Sequence, residues 1–171
     1  RYNRLLDNIE RRQIKLMYPH YPYIGQTRKC KDIPLSFPPQ HQEEQPGMEY
    51  LMEPRPISSN PQTKGACKLE NKTAIITGGD SGIGRAVAYA FAREGADVVI
   101  VYFNEHRDAQ ETKEKIEAMG RKCLLMAADL KQETAAQQVV RQTMKTFGKL
   151  DILVNNHGVQ YVQNDITDIS S

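Results

Sequence analysis

Residues 73 to 84 read TAIITGGDSGIG: an apolar run, a stretch almost without bulky side chains, then the start of a helix. Residue types in that order suit one task, the binding of phosphate by bared backbone N–H groups at the positive end of a helix. Gly78 permits a sharp exit from an extended segment, Gly82 lets a diphosphate approach the backbone, and Gly84 lets the helix pack closely on what precedes it. The Ile83 N–H is the natural phosphate donor, and Asp80 and Ser81 border the same space. A nucleoside-triphosphate loop would need GxxxxGK followed by Ser or Thr. Here Arg85 and Ala86 stand at those two positions, so magnesium would lose its hydroxyl ligand. The diphosphate of a dinucleotide fits the turn better.

The elements that must position this turn follow from periodicity. Apolar runs predict strands at 72–77, 96–103, 122–129 and 150–156, each too continuously apolar to have a solvated face. Between them lie three amphipathic stretches of helical period. The first should turn Ala86, Ala90 and Phe91 inward; the second Ala109, Thr112, Ile116 and Met119; the third Ala136, Val140, Thr143 and Phe147. Gly95, Gly120 and Gly148 follow as stops. Strands alternating with helices of this length imply βαβ units and a parallel sheet covered on both faces. The glycine turn then lies at the carboxyl edge of the sheet, where such sheets bind ligands.

Composition changes near residue 65. All nine prolines precede it, so residues 1–64 read as an irregular extension and 65–171 as the folded unit. A helix is expected only within 1–17, with Leu5, Ile9 and Leu16 on one face. Met17 is a candidate natural start. Eight basic residues up to Lys31 face only Asp7 and Glu10, and this arm reads as a solvated tail. The net charge of +2 gives no preference for nucleic acid or membrane. Cys30, Cys67 and Cys123 are far apart, with no CxxC pair, which points away from zinc and disulfides and toward a reducing, cytoplasmic setting.

Three signals on consecutive strands carry a resemblance. TGGDSGIG resembles the TGxxxGxG fingerprint of short-chain dehydrogenases/reductases. Asp129 ends the third strand, where that family places an aspartate against adenine, and NNHG (155–158) stands where it carries NNAG. The resemblance spans about 65 to 171. It implies a Rossmann-type doubly wound parallel sheet of the α/β class, incomplete at about four strands, behind a Pro-rich extension. It implies a cofactor, NADP or NAD, held by Gly78, Asp80, Ser81, Gly82, Ile83, Gly84, Tyr102, Asp129, Leu130, Asn155 and Gly158. SFPPQHQEEQPGMEYLMEPRPI is similar to general-stress members from spore-forming bacteria, so the extension should pack on the domain or on a neighbouring subunit.

The cofactor is left open between two readings. The tip of the second strand carries Tyr102, Phe103 and Asn104, without the acid that suits the NAD ribose. Arg107 is equally readable as a partner for the NADP 2′-phosphate or as a solvated residue at a helix start. The family's Tyr-x-x-x-Lys pair is absent: none of Tyr2, Tyr18, Tyr21, Tyr23, Tyr50, Tyr89, Tyr102 or Tyr161 has lysine four residues on. The chain is therefore expected to be the cofactor half of an oxidoreductase, inactive alone; the resemblance implies an alcohol or carbonyl compound as substrate and a homo-oligomer (tetramer) when complete. Its fourth strand should present an apolar edge. His157 replaces a small alanine, as a tolerated variant or a steric cost. A non-catalytic dinucleotide-binding module and a non-functional truncated product are the alternatives.

Overall fold

The computed structural model describes residues 39–158. The helix expected within 1–17 and the basic arm up to Lys31 lie outside those residues. Four strands, β1 (Thr73–Thr77), β2 (Asp97–Tyr102), β3 (Cys123–Ala127) and β4 (Ile152–Val154), alternate with α1 (Gly82–Arg93), α2 (His106–Ala118) and α3 (Glu133–Phe147). The sheet is parallel, in the order β3-β2-β1-β4.

The apolar runs account for this layering. Successive strand residues point to opposite faces, so β1 sends Ile76 to one side and Ile75 to the other, and both are buried. Ile76, Val98 and Ile100 pack with Ala88, Tyr89 and Ala92 of α1 and with Ala109 and Ile116 of α2. On the opposite face Ile75, Val99 and Val101 pack with Val139 of α3 and with Phe147 and Leu130. Each fully buried Ile or Val contributes about 1.5–3 kcal/mol from removing apolar area from water. The fold is thus the α/β, doubly wound, Rossmann-type sheet expected, with two helices on one face and one on the other.

Two helix faces differ from expectation. On α1 the buried positions are Gly84, Arg85, Ala88, Tyr89 and Ala92, while Ala90 is exposed. The face is rotated because a charged residue, Arg85, lies on its buried side. On α3 Val139 and Thr143 are buried and Val140 is exposed; Val139 is the residue that packs on Ile75, Val99 and Val101, and the buried Thr143 hydroxyl donates to the Val139 carbonyl at 2.8 Å. The stripe expected on α2 is observed, with Ala109, Thr112 and Ile116 fully buried. On β4, Leu153 is 56% exposed.

The extension is irregular from 39 to 64 apart from a single 3-10 turn, Glu49–Leu51. That turn packs against α2. The Glu49 N–H donates to Asp108 Oδ2 at 2.8 Å, and the Arg107 guanidinium lies 4.3 Å from the centre of the Tyr50 ring. Among the described residues no helix is long and apolar enough to cross a membrane.

Candidate functional site

Parallel pairing brings the carboxyl ends of all four strands to one edge, and hydrogen bonds lace that edge together. The Ala128 N–H donates to the Tyr102 carbonyl at 2.8 Å, and the Gly78 N–H donates to the Val101 carbonyl at 2.7 Å. Asn156 Nδ2 donates to the Thr77 and Gly78 carbonyls, both at 3.1 Å. The residues singled out from the sequence therefore border a single edge: 78–84 after β1, Tyr102 at the end of β2, Asp129 and Leu130 after β3, Asn155 and Gly158 after β4.

The glycine turn leaves β1 at Gly78, whose φ is +62°. Two positions show why small residues are needed. A Cβ on Gly84 would overlap the Gly78 carbonyl and stand 2.7 Å from Asn156 Nδ2, so strand exit and helix entry touch there. Gly82 has φ +51°, yet a Cβ there would meet no atom within 4 Å. It faces open space beside Ile83, which is 77% exposed. The Arg85 N–H makes the first helical bond, to the Ser81 carbonyl at 2.9 Å, so the Ile83 and Gly84 N–H groups precede the ladder and point out of the helix end.

Ser81, at the helix entry, makes no side-chain bond to the first turn. Glu49 of the extension takes that part: its Oε2 accepts from the Gly82 N–H at 2.6 Å. Its Oε1 accepts from Arg85, a guanidinium that also donates to the Asp80 carbonyl at 2.6 Å and to Asp108 Oδ1 at 3.1 Å. Thr112 Oγ1 donates to the same Asp80 carbonyl at 2.9 Å. The Asp80 side chain is buried, and burial raises its carboxyl above the usual aspartate range, against a lowering hydrogen bond from Ser81.

At the tip of β2, Tyr102 and His106 Nδ1 share a 3.0 Å hydrogen bond. Burial raises the phenol, and the nearby Asp80 and Glu105 charges raise it further. The buried Glu105 carboxylate accepts from the Phe103 and Asn104 N–H groups at 3.1 and 2.9 Å, so this acid shapes the loop from within. Arg107 pairs with Glu111 at 3.5 Å. Asp129 Oδ1 accepts from the Lys131 N–H at 3.1 Å, turning the chain toward α3. Leu130 packs into the core, and Asn155, His157 and Gly158 are exposed.

Sequence reasoning missed three participants. Thr77 Oγ1 accepts from the Asn156 and His157 N–H groups, both at 3.0 Å, and fastens β4 to the turn. Asn156 lies within the NNHG motif, where nothing in the sequence separates it from Asn155, and it is the Asn156 side chain that holds the Thr77 and Gly78 carbonyls. Glu49 had no local signal, since its partners stand 33 and 36 residues away.

A short chain dehydrogenase family profile matches residues 72–170. The chain belongs to the short-chain dehydrogenase family. It is 59% identical over 136 residues to the uncharacterized oxidoreductase YhxC of Bacillus subtilis, covering 80% of this chain and 47% of the relative. It is 52% identical over 140 residues to General stress protein 39 of the same organism, covering 82% and 49%. The chain thus spans about half the length of the curated relatives it matches. Among solved structures, a short chain dehydrogenase from Burkholderia cenocepacia in complex with NADP superposes with a TM-score of 0.56 at 39% identity, covering 60% of this chain and 42% of that one.

Proposed function

We propose that this chain is the dinucleotide-binding portion of an NAD(P)-dependent oxidoreductase that interconverts an alcohol and a carbonyl compound. The observation that carries this reading is the β1–α1 turn, where the Ile83 and Gly84 N–H groups precede the helical ladder next to exposed Ile83 and the open space at Gly82. The residues present fit a diphosphate: Ile83 and Gly84 supply N–H donors and the helix supplies positive potential. Gly82 keeps the approach clear, Gly78 makes the left-handed exit from β1, and Asp80 and Ser81 flank the turn. Tyr102, Asp129, Leu130, Asn155 and Gly158 would line the same edge toward the adenosine and the nicotinamide ribose. When bound, the cofactor supplies a nicotinamide ring that carries hydride. In this reading the proton-transfer residues and the substrate pocket belong to the part of the family fold that the 171 residues do not include, and the assembled protein is a tetramer in the cytoplasm.

NADP is the cofactor this reading favours. The acid nearest the tip of β2, Glu105, is buried and occupied with two backbone N–H groups, so no exposed carboxylate there repels a 2′-phosphate. Arg107 is two-thirds exposed on the first turn of α2, and the structural relative was solved with NADP. Fluorescence titration of the folded chain with NADPH and NADH tests the whole reading; a saturable signal with either supports it, and a flat response with both refutes it. Arg107→Ala is expected to weaken NADPH about tenfold while leaving NADH within twofold, the signature of a charge-assisted phosphate contact. Equal effects on the two cofactors would remove Arg107 from that role.

A further inference from the structure

We infer that Glu49 is a positioning residue for the cofactor, an internal carboxylate that sets the phosphate turn from outside the Rossmann unit. The inference rests on the dinucleotide reading above and goes beyond it, because Glu49 lies in the extension and outside the matched residues 72–170. Its side chain is almost fully buried, and each oxygen has its own donor: Oε2 the Gly82 N–H at 2.6 Å, Oε1 the Arg85 guanidinium. Arg85 in turn holds the Asp80 carbonyl at 2.6 Å, so one carboxylate reaches both ends of the segment 80–82. Its own backbone N–H is anchored on Asp108 Oδ2 at 2.8 Å, which ties the clamp to α2.

The charges around it balance locally. Glu49, Asp108 and Glu111 face Arg85, Arg55 and Arg107. An anion arriving at Ile83 therefore meets a turn held by a carboxylate whose own charge is paired with Arg85. Glu49 takes up one of the outward N–H groups, Gly82, and leaves Ile83 and Gly84 for the ligand. Only a carboxylate with this reach serves both donors. Glutamine offers one acceptor and turns an N–H₂ donor against the other partner. Aspartate keeps the charge for Arg85 but is one methylene too short to hold Gly82 as well.

Two measurements on the 171-residue chain test this. Affinity for NADPH is expected to fall about tenfold in Glu49→Gln and in Glu49→Asp. Amide exchange at Gly82 should accelerate at least tenfold in both, while Ile75 and Ile76 in β1 keep the wild-type rate; a purely global loss of stability would move all three together. The second measurement needs no variant. Coupling between two sites is reciprocal, so saturating NADPH should slow amide exchange at Glu49 and Met52 as well as at Ile83. Slowing at Ile83 with no change at Glu49 and Met52, or unchanged NADPH affinity in folded variants, overturns the clamp and leaves the dinucleotide reading standing. A wild-type chain that binds neither NADPH nor NADH overturns both.

Discussion

Arg85→Met is expected to destabilise the chain by about 3–5 kcal/mol, the cost of removing the buried partner from an ion network and leaving Glu49 and Asp108 with only the half-exposed Arg55 opposite them. The Arg85 side chain is 5% exposed and bonds to Glu49, to the Asp80 carbonyl and to both the carbonyl and the carboxylate of Asp108. Methionine can fill much of the same volume but satisfies none of these acceptors. A domain of this size has only about 5–15 kcal/mol in total, so the variant should unfold at a much lower urea concentration. Adding Glu49→Gln to Arg85→Met should recover part of the loss, because one stranded charge is then gone; additive losses would show that the two side chains do not interact. A drop below 1 kcal/mol for the single variant would mean that water reaches the cluster and screens it.

Gly84→Ala is the second large effect. The added methyl has nowhere to go: the Gly78 carbonyl and Asn156 Nδ2 already occupy its place. Relieving that overlap means pulling α1 away from the exit of β1, which costs about 3 kcal/mol and breaks the seat of Asn156 on the Gly78 carbonyl. Dinucleotide affinity should fall at least tenfold with it. Gly82→Ala is the informative contrast, since its Cβ meets no protein atom within 4 Å and only the left-handed backbone is penalised, by about 1–2 kcal/mol. It should stay folded and still bind poorly, because the methyl stands in the open space that the diphosphate would need. Thermal melts read beside NADPH titrations separate the two; equal binding losses at equal stability losses would show that the open space at Gly82 has no part in holding a ligand.

The sequence made the sheet readable because buried parallel strands are apolar throughout. Ile75, Ile76 and Val98–Val101 can be assigned without knowing what covers them. The stripe on α2 was readable for the same reason at Ala109, Thr112 and Ile116, though not at Asp108, a charged residue that is fully buried beside them. On α1 the pattern misled, because Arg85 is buried through an ion pair whose other half lies 36 residues earlier. Periodicity registers a charged residue as outward, so the inferred face slipped toward Ala86 and Ala90. The glycine turn was legible down to single positions, since close approach and left-handed backbone each exclude side chains. The fastening of that turn was not. Thr77, Asn156 and Glu49 are ordinary polar residues whose importance comes only from where tertiary contacts place them.

Glu49 leaves the ribosome before the turn it steadies, and its anchor on Asp108 is 59 residues further along. A nascent chain that has reached Gly84 therefore has the glycines but not their final arrangement. Closing loops of this span carries an entropic cost that nearby contacts must offset. The proposed phosphate seat, although written in eight consecutive residues, is finished only when α2 has been made and docked. Synthesis that stalls between Arg85 and Asp108 would yield a chain with the fingerprint and without the seat.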